Sequence, residues 1–424
     1  MNVLILGAGG REHAFAWKIA QSPLCTQLFI APGNAGTARL GTNLAIGYND
    51  FEGIAQAVIS HQITLVIVGP EEPLVKGIVD FFRQNPLLQY VGIVGPDTHG
   101  AMLEGSKDFS KNFMHRYGIP TAASQTFVAD SLADGLAYLE TQSLPIVLKA
   151  DGLAAGKGVI IAETLAEAQT ALKEMLIDAK FGDASSKVVI EQFLKGIELS
   201  VFVLTDGQNY KILPEAKDYK RIGEGDRGLN TGGMGAVSPV PFAGEAFLKK
   251  VEERIIKPTL VGLKAEGIVY KGFIFIGLMN CQGEPWVIEY NARMGDPETE
   301  VVLPRISSDF LRLMLATANQ TLDKETLEIN PQTAVGTVVV AGGYPENYQK
   351  GDIIAGLELL DFVLPFHAGT QLVETKVLTN GGRVMVMTGL GDSIDEARQK
   401  SQEAAKTVIY KGKYYRKDIG LDLT

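Results

Sequence analysis

Among all the segments, Trp286-Val287-Ile288-Glu289-Tyr290-Asn291-Ala292-Arg293-Met294-Gly295-Asp296-Pro297-Glu298 carries chemistry most plainly in its residue types and spacing. In an extended strand, residues two apart share a face. Glu289 and Asn291 therefore present a carboxylate and an amide oxygen together, hard donors of the kind that Mg²⁺ (or Mn²⁺) takes. Arg293 joins that face if the strand continues, placed to meet a transferring phosphoryl group. Carboxylates at the end of so apolar a strand, with Asn and Arg in register, are rare as plain surface residues.

Four further segments hold candidate ligand groups. Lys149-Ala150-Asp151-Gly152-Leu153-Ala154-Ala155-Gly156-Lys157-Gly158-Val159 delivers Lys149 from a strand into a loop of small residues that leads to a second strand. Gly156-Lys157 lacks a following Ser/Thr and no helix comes next, so this is no Walker A loop. A flap over a triphosphate, with Lys149 reaching anionic oxygens, and an exposed hairpin with two solvated lysines fit it equally well. In Val188-Val189-Ile190-Glu191-Gln192-Phe193-Leu194, an apolar strand leads to Glu191 and an open backbone suited to an adenine edge, with Glu198 suited to ribose hydroxyls. Taken alone, those glutamates read as surface residues. Asp218-Tyr219-Lys220-Arg221, Asp226 and Asn230-Thr231-Gly232-Gly233-Met234-Gly235 form a long polar, glycine-rich loop that suits a substrate.

The remaining segment, Gly7-Ala8-Gly9-Gly10-Arg11-Glu12, lies between a strand and a helix. Backbone N–H groups and the helix dipole favour an anion there, and Arg11 adds a bidentate donor. Glu12 stands where a dinucleotide fingerprint needs Gly or Ala, and Ala31-Pro32-Gly33 lacks the acidic residue that would hold a ribose. A single sugar phosphate is favoured over NAD.

Buried strands must position these groups. Residues 2–6, 27–31, 64–70 and 90–96 read as strands, and 11–21, 51–61 and 74–82 as helices, which makes a parallel α/β sheet. Its strand ends open into GAGG, VGPEEP and VGPD, on the side where such sheets bind ligands. A helix from Lys107 to Tyr117 follows, ended by Gly118-Ile119-Pro120. Residues 121–190 read as a small α+β unit, the candidate lid, with helices over 131–142 and 165–176. Strands at 273–279 and 285–290 come next, then a linker-like stretch at 325–333. A last α+β unit closes with a helix from Ser393 to Lys411. The expected fold class is α/β and α+β multidomain, divided as 1–103, 104–327 and 328–424.

Bulk properties narrow the partners. The 424 residues carry a net charge of -10, which argues against non-specific nucleic-acid binding and against an anionic membrane surface. Cys25 and Cys281 make neither a disulfide framework nor a zinc cluster, and the histidines stand singly. No apolar run is long enough to span a bilayer, and residues 1–17 lack the pattern of a secretory signal. A cytoplasmic monomer acting on small molecules is expected.

Together, these segments resemble the phosphoribosylamine–glycine ligase family of the ATP-grasp superfamily. The likeness runs through GAGGREHA (7–14), PGNAGT (32–37), VGPEEPLVKGI (68–78), KADGLAAGKGV (149–159), DYKRIGEGDRGLNTGGMGAVSP (218–239) and IEYNARMGDPETEVVLPRI (288–306). AGGYP (341–345), FHAGT, NGGRV and YYRKDIG extend it over essentially the whole chain. The resemblance implies an N-terminal pre-ATP-grasp domain, an ATP-grasp domain with a lid, and a C-terminal α+β domain. It implies a reaction in which ATP, glycine and 5-phosphoribosylamine give ADP, phosphate and glycinamide ribonucleotide. Lys107, Lys149, Glu191, Phe193, Leu194 and Glu198 would hold ATP, with Gly152, Gly156, Lys157 and Gly158 in the loop folding over its phosphates. Glu289 and Asn291 would hold the metal. Gly9, Gly10, Arg11, Asn34, Glu71 and Asp218 would surround phosphoribosylamine. Arg293, Lys220, Asn230, Thr231, Gly232 and Gly233 would lie beside glycine and the transferred phosphate. Lys149 and Arg293 are the expected catalytic cations and Asp218 the general base.

Two positions depart from the family pattern. Ile197 stands where a second glutamate often precedes Glu198, and Gly277 where many ATP-grasp enzymes place another metal-binding acid. From the residues alone, a bicarbonate-using relative, an NAD-dependent oxidoreductase and a non-catalytic nucleotide-binding regulator remain as alternatives.

Overall fold

The computed structural model describes residues 1–153 and 158–424. The β-branched runs near the N-terminus form buried parallel strands, Asn2–Gly7, Gln27–Pro32, Leu65–Val68 and Gly92–Pro96, with Thr42–Asn43 at the edge. Leu4 lies between Phe29 and Val66 in register. The helix expected over 74–82 is two helices, Glu71–Val75 and Ile78–Gln84. Gly77 between them has φ +89°, and Thr98 Oγ1 stands 2.8 Å from where a Cβ would lie. Only glycine suits that turn.

This sheet does not end with its own domain. Tyr270 pairs with Pro96 and Lys271 with Gly95 in antiparallel fashion, so Tyr270–Cys281 carries the sheet on into Ile197–Thr205 and Tyr210–Ile212. Glu284–Asn291 is the other neighbour of Tyr270–Cys281, and the sheet has nine strands. Phe15 stacks on Phe273 and Phe310, with ring centroids 5.6 and 5.8 Å apart, so the first helix shares its core with the central domain.

The candidate lid contains an antiparallel sheet in the order Ser124–Val128, Lys187–Gln192, Ile146–Ala150, Val159–Ala162. Helices Leu132–Glu140 and Leu165–Leu176 pack on it through Leu139, Leu172 and Met175.

A five-stranded sheet has the order Lys217–Asp218, Gly235–Ser238, Thr333–Val340, Arg383–Gly391, Leu364–His367. Its first two strands flank the glycine-rich loop, so that loop grows out of the C-terminal sheet. The closing helix ends at Thr407, short of Lys411, because Val408 turns extended and Ile409 bridges to Ala355. The 325–333 stretch is no free linker. Glu328 O accepts from Ser307 N, and Arg305 O accepts from Asn330 N. Among the described residues, no helix is long and apolar enough to cross a membrane.

Candidate active site

Three lysines converge near Glu191 at the base of the candidate lid. Lys149, on the strand Ile146–Ala150, pairs with Glu191 Oε2 at 3.0 Å and reaches Ile288 O at 3.4 Å. Lys107 opens the helix Lys107–Arg116 and points its ammonium at the carbonyls of Asp151 and Gly152, 3.5 and 3.3 Å away. Burial lowers its pKa. Asp151 fixes this meeting point, because its carboxylate accepts from Ser106 Oγ and Asp108 N at the start of the same helix. Lys111 stands one turn further on and pairs with Glu191 at 3.3 Å. Gly152 and Gly158 are among the described residues, whereas Gly156 and Lys157 fall outside them.

Beside Lys149 runs Glu284–Asn291. A register shift between Gly277 and Leu278 leaves Ile288 as an extra residue, and regular pairing resumes with Glu289 opposite Gly277 and Asn291 opposite Phe275. Glu289 and Asn291 thus share a face, and Glu289 lines a polar recess with Glu198, Ser200, Asp218 and Lys220. Burial pushes the Glu289 pKa up, but Lys220, Lys149 and Lys107 outweigh it and hold the carboxyl below its ordinary range. Gly277 has no side chain to offer a metal, and Ile197 is exposed at the start of its strand. Glu198 pairs with Lys220 at 2.6 Å, both side chains 44% exposed, so solvent screens the pair. Phe193 is exposed, and Leu194 follows it past the strand end.

The strand ends at Asn291, so Arg293 does not continue the Glu289 face. Its guanidinium turns instead to Glu104 at 2.7 Å and Glu71 at 3.3 Å. Burial opposes ionisation of Glu71, yet Arg293 and Arg11 bring it down to about 2. Glu104, fixed by Ala292 N at 2.7 Å, is pushed up to about 7 by burial despite Arg293. Asp218 is likewise raised by burial, with Glu198 adding to it. Burial and then Asp218 bring the deeply buried Glu298 up to about 7.

At the first helix, the expected anion seat is already filled from within. Gly9 N donates to Glu12 Oε2 at 2.6 Å, and Arg11 Nε pairs with Glu12 Oε1 at 2.6 Å. Gly7 and Gly69 are bare because a Cβ at either would strike the Glu12 side chain. Arg11 Nη1 donates to Met294 O at 3.1 Å, so the guanidinium read as a phosphate donor is tied into the protein. Asn34 is committed in the same way. Its amide donates to Ala8 O and His367 O and accepts from Gly36 N and Thr37 N. Both hold the shape of the loops around Gly9 and Gly10.

The C-terminal domain supplies groups that sequence reasoning missed. Arg383 Nη1 donates to Gly232 O and Asp296 O at 2.6 and 2.7 Å and pairs with Asp296 Oδ1 at 3.0 Å. Tyr344 Oη accepts from Gly232 N at 3.0 Å, and Thr231 Oγ1 bridges Lys220 O and Gly233 N. Gly232 and Gly233 let the guanidinium lie against the loop backbone, and Asn230 stays exposed.

With this geometry in place, comparison with known proteins decides the family. Residues 1–104 match the N domain of phosphoribosylglycinamide synthetase, 105–299 its ATP-grasp (A) domain and 334–422 its C domain. This chain belongs to the phosphoribosylglycinamide synthetase family. It is similar to the phosphoribosylamine–glycine ligase of Pasteurella multocida, at 48% identity over 99% of this chain and 97% of that one. The Escherichia coli enzyme of the same name is 47% identical over 99% and 98%. The crystal structure of phosphoribosylamine–glycine ligase from Thermotoga maritima superposes with a TM-score of 0.86 at 37% identity, covering 99% of this chain and all of that one. A biotin carboxylase from Campylobacter jejuni, at 15% identity and TM-score 0.73, shares the fold. The three-domain architecture expected from the sequence is the family's own.

Among the missed residues, Lys111 had one local signal, its spacing of four from Lys107. Tyr344 and Arg383 lay within the family motifs AGGYP and NGGRV without being singled out, and Glu104 had no signal, since its partner Arg293 lies far away in sequence.

Proposed function

We propose that this chain ligates glycine to 5-phosphoribosylamine at the expense of ATP, giving glycinamide ribonucleotide, ADP and phosphate through a glycyl-phosphate intermediate. One observation carries the reading. Lys107, Lys149 and Lys220 together keep the Glu289 carboxyl ionised, and Asn291 shares the strand face of Glu289. Anionic phosphates, a hard cation and a small carboxylate substrate can meet only in such a place.

The donor set fits Mg²⁺ or Mn²⁺. Glu289 is kept ionised, and Asn291 adds an amide oxygen beside it. Among the described residues, no group of three or more His, Cys, Asp or Glu side chains could hold a metal, so phosphate oxygens and water would complete the shell. The ion would neutralise phosphate charge as the phosphoryl group moves.

The remaining roles belong to side chains. Lys149 and Lys107 would bind the phosphates, and Glu191, Phe193, Leu194 and Glu198 would border the nucleoside. A glycine carboxylate oxygen attacks the γ-phosphorus and ADP departs. The amine nitrogen of phosphoribosylamine then attacks the acyl carbon, phosphate leaves, and Asp218, raised by burial, accepts the amine proton. Arg293, anchored by Glu71 and Glu104, would lie near the transferred phosphate. Lid residues 121–190, with Gly152 to Gly158, would exclude the water that destroys an acyl-phosphate. Gly9, Gly10, Arg11 and Asn34 would shape the phosphoribosylamine seat. Cys25 and Cys281 are both free thiols, which suits a reducing cytoplasm. The test is ADP formation with glycine and freshly made phosphoribosylamine omitted in turn. Dependence on both is expected, and ADP release without either would reject the ligation.

A further inference from the structure

Lys111 is a buried cation to which the chemistry above gives no part. It is 4% exposed, and its ammonium donates to Thr121 Oγ1 at 2.7 Å and Ala122 O at 3.3 Å. Its third contact is Glu191 Oε2 at 3.3 Å, the same oxygen that holds Lys149 at 3.0 Å. An ammonium has three protons, and each has an acceptor here. The three acceptors lie at telling places. Thr121 and Ala122 are where the chain enters the lid, just before Ser124–Val128. Glu191 is where it leaves, near the end of Lys187–Gln192. Thr121 Oγ1 also donates to Val287 O at 2.8 Å, on the strand that carries Glu289. One side chain from the body therefore touches both crossings into the lid. Glu191 Oε1 is buried without a hydrogen-bond partner among the described residues, so Oε2 alone anchors this carboxylate.

We propose that Lys111 is a positioning residue for the nucleotide: it pins both hinge segments of the lid and, through Glu191, fixes the Lys149 ammonium in the cleft. The inference rests on Lys149 being an ATP ligand. A buried cation with matched protons is costly to remove, because its buried acceptors lose their donor. Without Lys111, Glu191 has only Lys149 to hold it, and the pair is free to shift together. Burial brings the Lys111 pKa down to about 8, with Glu191 opposing and Lys149 assisting. Those two groups face it from the lid strands, and Lys107 lies on its own helix. The ion pair thus weakens as pH rises through about 8, whereas an arginine there stays charged.

The test uses the full chain as wild type, Lys111→Met and Lys111→Arg, with KM for ATP, KM for glycine and kcat measured between neutral and alkaline pH. At neutral pH, Lys111→Met is expected to raise KM for ATP about tenfold and leave KM for glycine within about twofold, with Lys111→Arg near wild type. Above pH of about 8 the wild-type KM for ATP rises and that of Lys111→Arg does not. A folded Lys111→Met with unchanged KM for ATP, or with KM for ATP and glycine raised alike, overturns the proposal. If Lys111→Met does not fold, the alkaline comparison of wild type with Lys111→Arg decides, and an identical rise in both overturns it. A wild-type protein that does not turn over ATP would instead reject the ligase reading.

Discussion

Glu289 loses part of its water on folding yet stays ionised, because Lys220, Lys149 and Lys107 together outweigh its burial. A metal-holding carboxylate needs that balance. Glu289→Gln keeps the volume and removes the charge, so kcat/KM should fall about a thousandfold, on the order of 4 kcal/mol, with the melting temperature little changed. Steady-state assays over a range of Mg²⁺ check this, and full activity in the variant would remove Glu289 from the metal. The Glu289–Asn291 pairing was legible in the sequence because strand geometry repeats every two residues. Arg293 was not. Its strand stops two residues earlier, and its partners Glu71 and Glu104 come from another part of the chain. Arg11 was read as a ligand group for its chemistry and Asn34 from the family resemblance, but the loops around them use the same hydrogen bonds internally.

The strand Arg383–Gly391 and the Asn230–Gly233 loop meet through one guanidinium. Arg383→Met removes three contacts to that loop and to Asp296 while touching nothing in the lid. KM for glycine and for phosphoribosylamine should rise about tenfold or more, with KM for ATP within about twofold, as initial-rate measurements would show. A second junction joins the first helix to the strand Leu364–His367. His13 Nδ1 accepts from His367 N at 2.7 Å, and the rings lie 5.5 Å apart. Burial holds both imidazoles neutral, the His367 pKa falling to about 3 and that of His13 falling well below its ordinary value. The unfolded chain protonates them near 6.5, so stability present above that pH is lost as pH falls toward about 3. The expected loss is about 1.4 kcal/mol per pH unit for each imidazole. Urea midpoints in that window should show a shallower pH slope for His367→Gln than for wild type, and equal slopes would contradict it. Periodicity marked most of the helices and strands it was applied to, apart from the break at Gly77 and the early end at Thr407, while the helices Thr98–Gly105, Glu245–Val251 and Lys257–Ala265 went unread. The break and the early end were set by a left-handed glycine and by an isolated bridge.

In the whole molecule, two sheets tie three domains together. The N-terminal strands continue through Pro96 and Tyr270 into the central domain, and the glycine-rich loop belongs to the C-terminal sheet. Sequence patterns mark strands but not which strand lies beside which, so these continuities were illegible even though the three-domain order was clear. They explain how one chain brings Lys149 near Glu289 of the central sheet while Arg383 of the C-terminal sheet holds the glycine-rich loop. Such an arrangement suits a reaction with three substrates and an intermediate that must not meet water. The most direct measurement is the fate of a carboxylate oxygen. Glycine labelled with ¹⁸O at both carboxylate oxygens, turned over with ATP and phosphoribosylamine, should deliver one ¹⁸O to each inorganic phosphate and keep the other in the amide. Phosphate that forms free of label would contradict the glycyl-phosphate route.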